Sequence, residues 1–413
     1  MADIKLQVSR LLSKQRTFPR AYGYEIKGIA GPDKDGSVYA IVNYQEDENA
    51  NGNVADRILK LDMKNRRIQW LHKVTGSLTN WEEINGSRYD SVYPSRSGSA
   101  FVVSSDGTKL YFLTTDREND EKNDNYGEPV RNTLYEYDTI TGIERSVAHV
   151  PDFFMHGFFV SPDGSKLLVH HEDEQQEDSV GQVYDLKNGK VHSLTSPDSY
   201  WWHCTSMCFS NDGNRIVITR RDTSGDTYEA AMVFNANTGR PLEDKVIHRD
   251  SDIQLTDGIS SSCVAPILGG YLFAFSDGFV KTDENLNQVE YMPLDSKHMG
   301  GRVPMSFMLD AQCRLGLVTW DLSRYCYVDF EGHTYCDDIP PFGSDCEISD
   351  GTILFSRDGS KLYSDFNDFN FNRLRDDDTV WEVSLSGLPM KPFAAPKPAE
   401  PEFDWSVFNE GDN

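Results

Sequence analysis

Three histidines, His156, His203 and His298, stand in the short contexts Met155-His156-Gly157, Trp202-His203-Cys204 and Lys297-His298-Met299. Imidazoles brought together from separate segments are a common way to hold a transition-metal ion. The same residues also serve as polar lining of a channel, and no metal or other cofactor is assigned to them here. Trp201 and Trp202 adjoin His203, and Trp81 and Tyr89 add aromatic residues in another long connection. Asp47-Glu48-Asn49-Ala50-Asn51-Gly52 has the Asp-x-Asn-x-Asn-Gly opening of a calcium loop, but Ile58 replaces the acid needed at its twelfth position. Nucleophilic chemistry has no motif, because Gly258-Ile259-Ser260-Ser261-Ser262 lacks the Gly-x-Ser-x-Gly elbow. No Gly-rich phosphate loop follows a strand-like run. No catalytic residue is therefore assigned.

The elements that must carry these residues repeat along the chain. The stretch from Phe153 to Thr195 reads as four short strands joined by Asp163-Gly164, a polar loop and Asn188-Gly189. Asp-Gly and Asn-Gly between apolar runs mark hairpins, since Gly tolerates the positive φ that tight turns need. First-hairpin turns recur at Asp35-Gly36, Asp106-Gly107, Asp163-Gly164, Asp212-Gly213, Gly269-Gly270, Asp310-Ala311 and Asp358-Gly359. Four of them share one phrase: SSDGTKLYF, SPDGSKLLV, SNDGNRIVI and SRDGSKLYS. A third strand follows each turn (RILKLD, TLYEYD, GQVYDL, AAMVFN, GFVKTD, CYVDFE, TVWEVS). From Gly36 to Gly359 the spacing averages about 54 residues per unit. A four-stranded sheet of this size cannot bury both faces alone, so the units must stack on one another.

Over about residues 21–395 the chain resembles the seven-bladed β-propellers of the broad WD-repeat-like and quinoprotein-like group. The expected class is all-β, with four antiparallel strands per blade. The resemblance speaks to fold alone. In such a fold the innermost strands line the channel, so His156, His203 and His298 are placed at or just before inner strands. Counted back from the turns that follow, the three lie at different depths, which favours channel lining over one shared ion. The long connections expected on one face carry acidic runs and Trp81, Tyr89, Trp201 and Trp202. That loop face is the expected working surface.

The two ends differ from the middle. Residues 1–20 are basic, and Ile4, Leu6 and Val8 alternate as in a strand. Gly387 to Pro396, where an outer strand of the last unit would fall, contains Pro389 and Pro392, which cannot donate to a ladder. Residues 1–20 are therefore expected to complete the sheet near residues 352–395. Residues 396–413 form an acidic, Pro-rich tail whose Phe403, Trp405 and Phe408 are expected to dock on a partner.

Composition narrows the partners. The net charge of −26 disfavours nucleic acid and anionic membranes and suits a basic protein. No apolar run of about 18 residues is present, so no membrane insertion is expected. Seven scattered cysteines suit free thiols in a reducing compartment, so a cytoplasmic location is expected, with a mitochondrial one as the alternative reading of the basic N-terminus. The preferred function is a non-catalytic propeller that binds a protein partner, as scaffold or as subunit of a larger assembly. The alternative is a metal-assisted lyase or lactone hydrolase acting on a small polar substrate in the central funnel. Fold alone does not separate the two.

Overall fold

The computed structural model describes residues 7–12, 23–45, 55–74, 101–104, 106–117, 129–150, 155–173, 178–194, 203–221, 229–246, 263–275, 278–294, 304–320, 324–339, 353–364 and 380–394. These residues form seven antiparallel sheets and no helix. Blade 1 consists of Gly23–Ala30, Val38–Gln45, Ala55–Asp62 and Arg67–Lys73. Blade 2 is Phe101–Val103, Lys109–Arg117, Pro129–Asp138 and Glu144–Val150. Blade 3 is Met155–Val160, Lys166–Asp173, Asp178–Asp185 and Val191–Ser193. Blade 4 is His203–Phe209, Arg215–Arg221, Glu229–Asn235 and Pro241–Val246. Blade 5 is Cys263–Ile267, Gly270–Phe275, Gly278–Asp283 and Gln288–Pro293. Blade 6 is Pro304–Leu309, Leu315–Trp320, Arg324–Asp329 and Thr334–Ile339, with Lys391–Pro392 as a fifth strand. Blade 7 is Ile353–Phe355, Lys361–Ser364 and Val380–Ser384, with Gln7–Leu12 as its fourth strand.

First strands of successive blades touch one another, so they line the centre of a ring. The chain is a seven-bladed β-propeller, as the repeat predicts. Side chains along a strand alternate between faces, and in the second strands both faces are buried. Leu110 and Phe112 pack on blade 1, while Tyr111 and Leu113 pack on blade 3. In blade 4, Ile216 and Ile218 face blade 3 and Val217 faces blade 5. The core is accordingly seven clusters, each spanning one interface between neighbouring blades. This is why the runs Leu110–Leu113 and Ile216–Ile218 are apolar without alternation. Each fully buried Phe or Tyr in them contributes roughly 1.5–3 kcal/mol.

The shared turn phrase works as a self-contained hydrogen-bonded unit. In blade 2, Ser104 Oγ donates to Asp106 Oδ1 at 2.7 Å, and the same oxygen accepts the Thr108 amide at 3.0 Å. The Lys109 amide donates to Ser104 Oγ at 3.0 Å. Blades 3, 4 and 7 repeat this pattern at Ser161/Asp163, Ser210/Asp212 and Ser356/Asp358. Blades 1 and 6 solve the turn with one carboxylate at the serine position. Asp33 Oδ1 accepts the amides of Asp35 and Ser37, and Asp310 Oδ1 those of Arg314 and Leu315. Aligning Asp310-Ala311 with the Asp-Gly pairs is therefore corrected. Asp310 corresponds to Ser104, and Cys313, at φ 56°, takes the place of the glycine.

Blade 7 is closed from the other end of the chain, with Gln7 opposite Ser384 and Leu12 opposite Val380. After Ser384 the chain leaves blade 7 and pairs Lys391 with Tyr335 and Pro392 with Thr334 on blade 6. Residues 387–394 thus do not form an outer strand of their own blade. Pro389 and Pro392 lack the amide that a continuous ladder would need.

Candidate binding site

The strand ends that lead into the longest connections all lie on one face of the ring, the end where first strands begin. His156 is the second residue of its inner strand and His203 the first of its own. Register shifts mark bulges at Lys27, His156, Thr205 and Met305 in blades 1, 3, 4 and 6. A bulge adds a residue to one strand and re-aims it. His156 therefore occupies the position that Thr205 holds in blade 4, while His203 lies two residues earlier. The backbone places the two histidines on neighbouring inner strands but at different levels. His298, Trp81, Tyr89, Trp201, Trp202, Phe403, Trp405 and Phe408 lie outside the described residues. So does the calcium-like loop, although Ile58 at its twelfth position is described. It is fully buried in the third strand of blade 1, where a metal-ligating acid would have to stand in the core.

The opposite face carries the tight turns, and between blades 2 and 3 it holds a cleft of about 500 Å³. One wall is built around Glu136, buried in the third strand of blade 2. Arg145 donates to both its oxygens, Nε to Oε1 and Nη2 to Oε2 at 3.0 Å each. Lys109 Nζ adds a bond to Glu136 Oε1 at 3.0 Å and one to Asp138 Oδ2 at 2.7 Å. The other wall is the blade 3 turn Pro162–Ser165 together with Leu186 and Lys187. Tyr111 bridges the walls by donating from its hydroxyl to Gly164 O at 3.2 Å. Burial opposes the charge on Glu136, but the bonds from Arg145 and Lys109 outweigh it and hold the carboxyl below its usual range. The Lys109 bond chiefly pulls Asp138 down. For Lys109 itself, burial opposes the charge and the two carboxylates more than restore it. These ions are committed to one another. The wall is a closed set of ion pairs that carries charge of both signs.

Next to this wall the turn from Asp138 to Ile143 exposes two isoleucines, Ile140 at 78% and Ile143 at 62%. Asp138 Oδ1 accepts the amides of Ile140 and Thr141 at 2.9 and 2.8 Å. Thr139 Oγ1 donates to Gly107 O at 2.7 Å, which ties this turn to the first hairpin of the blade. Sequence reasoning passes over Ile140, Ile143 and the Lys109–Glu136–Arg145 group. The two isoleucines, in a turn that needs only Asp, Thr and Gly, are a readable signal. The ion group is not, because its members lie on three strands. The chain matches no protein-family model and no curated protein; its fold is that of a seven-bladed β-propeller.

Proposed function

We propose that the protein is a non-catalytic platform that binds a protein partner, as a scaffold or as a subunit of a larger assembly. The observation that carries this reading is the solvent-exposed pair Ile140 and Ile143, held in a hydrogen-bonded turn beside a wall of mutually neutralised charges. An apolar centre with a polar surround is the anatomy of protein interfaces. Burying both isoleucines contributes roughly 1.5–3 kcal/mol each. The net charge of −26 favours a basic partner through its long-range field. The test is affinity capture from source-cell extract with the full chain and with Ile140→Asp/Ile143→Asp. Neither side chain holds up the core, so the two proteins should melt alike, within about 0.5 kcal/mol. A protein retained by the wild type and lost by the variant is the expected result. An identical set of retained proteins would remove this surface from the reading.

One observation favours the alternative, a metal-assisted lyase or lactone hydrolase acting in the funnel. His156 sits on a bulge of an inner strand, a device common beside active sites. Elemental analysis separates the readings. One bound metal equivalent lost in His156→Ala would support the enzyme, and a metal content untouched by that change would count against it.

A further inference from the structure

Residues 391–394 belong by sequence to the end of blade 7 but lie across blades 5 and 6. Lys391 and Pro392 extend the outer edge of blade 6 antiparallel to Thr334 and Tyr335. The Phe393 amide donates to His333 O at 3.3 Å, and the Ala394 amide to Pro293 O on the outer strand of blade 5 at 3.1 Å. The segment bridges the rim of two blades, and each of its side chains has a distinct setting. The Phe393 ring stacks on Tyr335 at 5.3 Å between centroids and meets Phe279 edge-on at 6.2 Å, within the core cluster of that interface. Lys391 Nζ lies 2.7 Å from Asp337 Oδ2 and 4.8 Å from the centre of the Tyr335 ring. Pro392 is exposed and, lacking an amide N–H, needs no acceptor opposite it.

Main-chain pairing at a sheet edge, with one charged contact and one aromatic cleft, is how an extended peptide is recognised by strand addition. A strap held by two paired residues and one ring opens far more easily than a blade does. We propose that the rim of blades 5 and 6 is a peptide-binding site, occupied here by the chain's own Lys391–Ala394 and opened by a partner protein carrying a basic residue, a proline and an aromatic in succession. Asp337 selects the cation, Tyr335 and Phe279 select the aromatic, and the missing amide at the proline limits pairing to a short stretch. The site is separate from the Ile140 surface and stands without it.

The probe is a labelled synthetic peptide with the chain's own residues 388–396. The full-length variant Lys391→Glu/Phe393→Ala vacates the site, so it should bind the peptide roughly tenfold or more tighter than the wild type, whose own segment competes. Asp337→Asn in that background should weaken binding, and a peptide carrying Phe393→Ala should not bind. In wild-type protein, excess peptide should speed hydrogen exchange at the Phe393 and Ala394 amides, a readout that holds even if the variant does not fold. Equal or absent peptide binding to a cooperatively melting variant would overturn the proposal, as would exchange at those two amides that excess peptide leaves unchanged. A wild-type dimer that the peptide dissociates would assign the site to a second copy and overturn the assignment to a partner.

Discussion

Asp33 shows how much a single buried side chain can organise. Its Oδ1 accepts the Asp35 and Ser37 amides at 2.9 Å each, and its Oδ2 accepts the Tyr39 hydroxyl at 2.8 Å and Lys60 Nζ at 3.0 Å. Burial opposes its ionisation, but the bonds from the Ser37 amide, Tyr39 and Lys60, with the Lys60 charge, win and keep the carboxyl below its ordinary value. Tyr39→Phe removes one donor from a buried charge, so a loss of about 1–3 kcal/mol is expected in denaturant unfolding. Tyr111→Phe should cost less, about 1 kcal/mol, because it forfeits a bond to the neutral carbonyl of Gly164. The same corner constrains Gly107. Its φ is 71°, and a Cβ there would lie 2.7 Å from the Asp33 side chain. Gly189 has the same φ with nothing within 4 Å. Gly189→Ala should therefore cost about 1–2 kcal/mol for the left-handed backbone alone. Gly107→Ala should cost at least about 1 kcal/mol more, for the overpacking against Asp33. Equal losses in the pair would mean that Asp33 moves aside freely.

At the scale of the element, the strand Gln7–Leu12 covers what would otherwise be the open edge of Val380–Ser384. An unpaired edge is a template for aggregation. Deleting residues 1–12 should lower the melting temperature by several degrees and introduce concentration-dependent aggregation, measured by calorimetry and light scattering. An unchanged melting temperature would show that blade 7 is stable with three strands. The hairpin phrase Ser-x-Asp-Gly-x-Lys/Arg is legible in the sequence, because its bonds join residues no more than five apart. The blade 6 turn misaligns for a physical reason. There one aspartate does the work of a serine and an aspartate, and a cysteine adopts the conformation that glycine has elsewhere, so residue type no longer reports position.

Across the whole molecule, the same turns set the response to acid. The turn bonds lead in lowering Asp106, Asp212 and Asp358, and in Asp163 and Asp185 they overcome an opposing effect of burial. The Asn65 bonds bring Asp62 down to about 2. A carboxyl whose folded value lies below its unfolded one stabilises the fold at pH above the unfolded value, near about 4. That contribution disappears as pH falls through the depressed values. Thermal stability should therefore hold from neutrality down to about pH 4 and fall steeply below it. Asp106→Asn should flatten that fall measurably. A melting temperature insensitive to pH between about 4 and 2 would show that the turn carboxylates titrate alike in both states.

What the sequence by itself determined is everything that local chemistry can decide. Two-residue alternation, Asp-Gly turns and their spacing of about 54 residues imply antiparallel hairpins, and hairpins too small to bury both faces imply a ring of blades. The ring, in turn, places His156 and His203 on inner strands. Only the tertiary structure decided the contacts between residues far apart in the chain. It set Gln7 opposite Ser384, sent Lys391–Ala394 to blades 5 and 6, and gathered Lys109, Glu136 and Arg145 into one wall. Such choices follow from which edge is left unpaired and which cleft fits a ring or a charge once all seven blades are closed. Pro389 and Pro392 do signal that residues 1–20 close the last sheet. The register of that strand and the place of Lys391–Ala394 are not written locally, because an edge and the segment that covers it are made in distant parts of the chain.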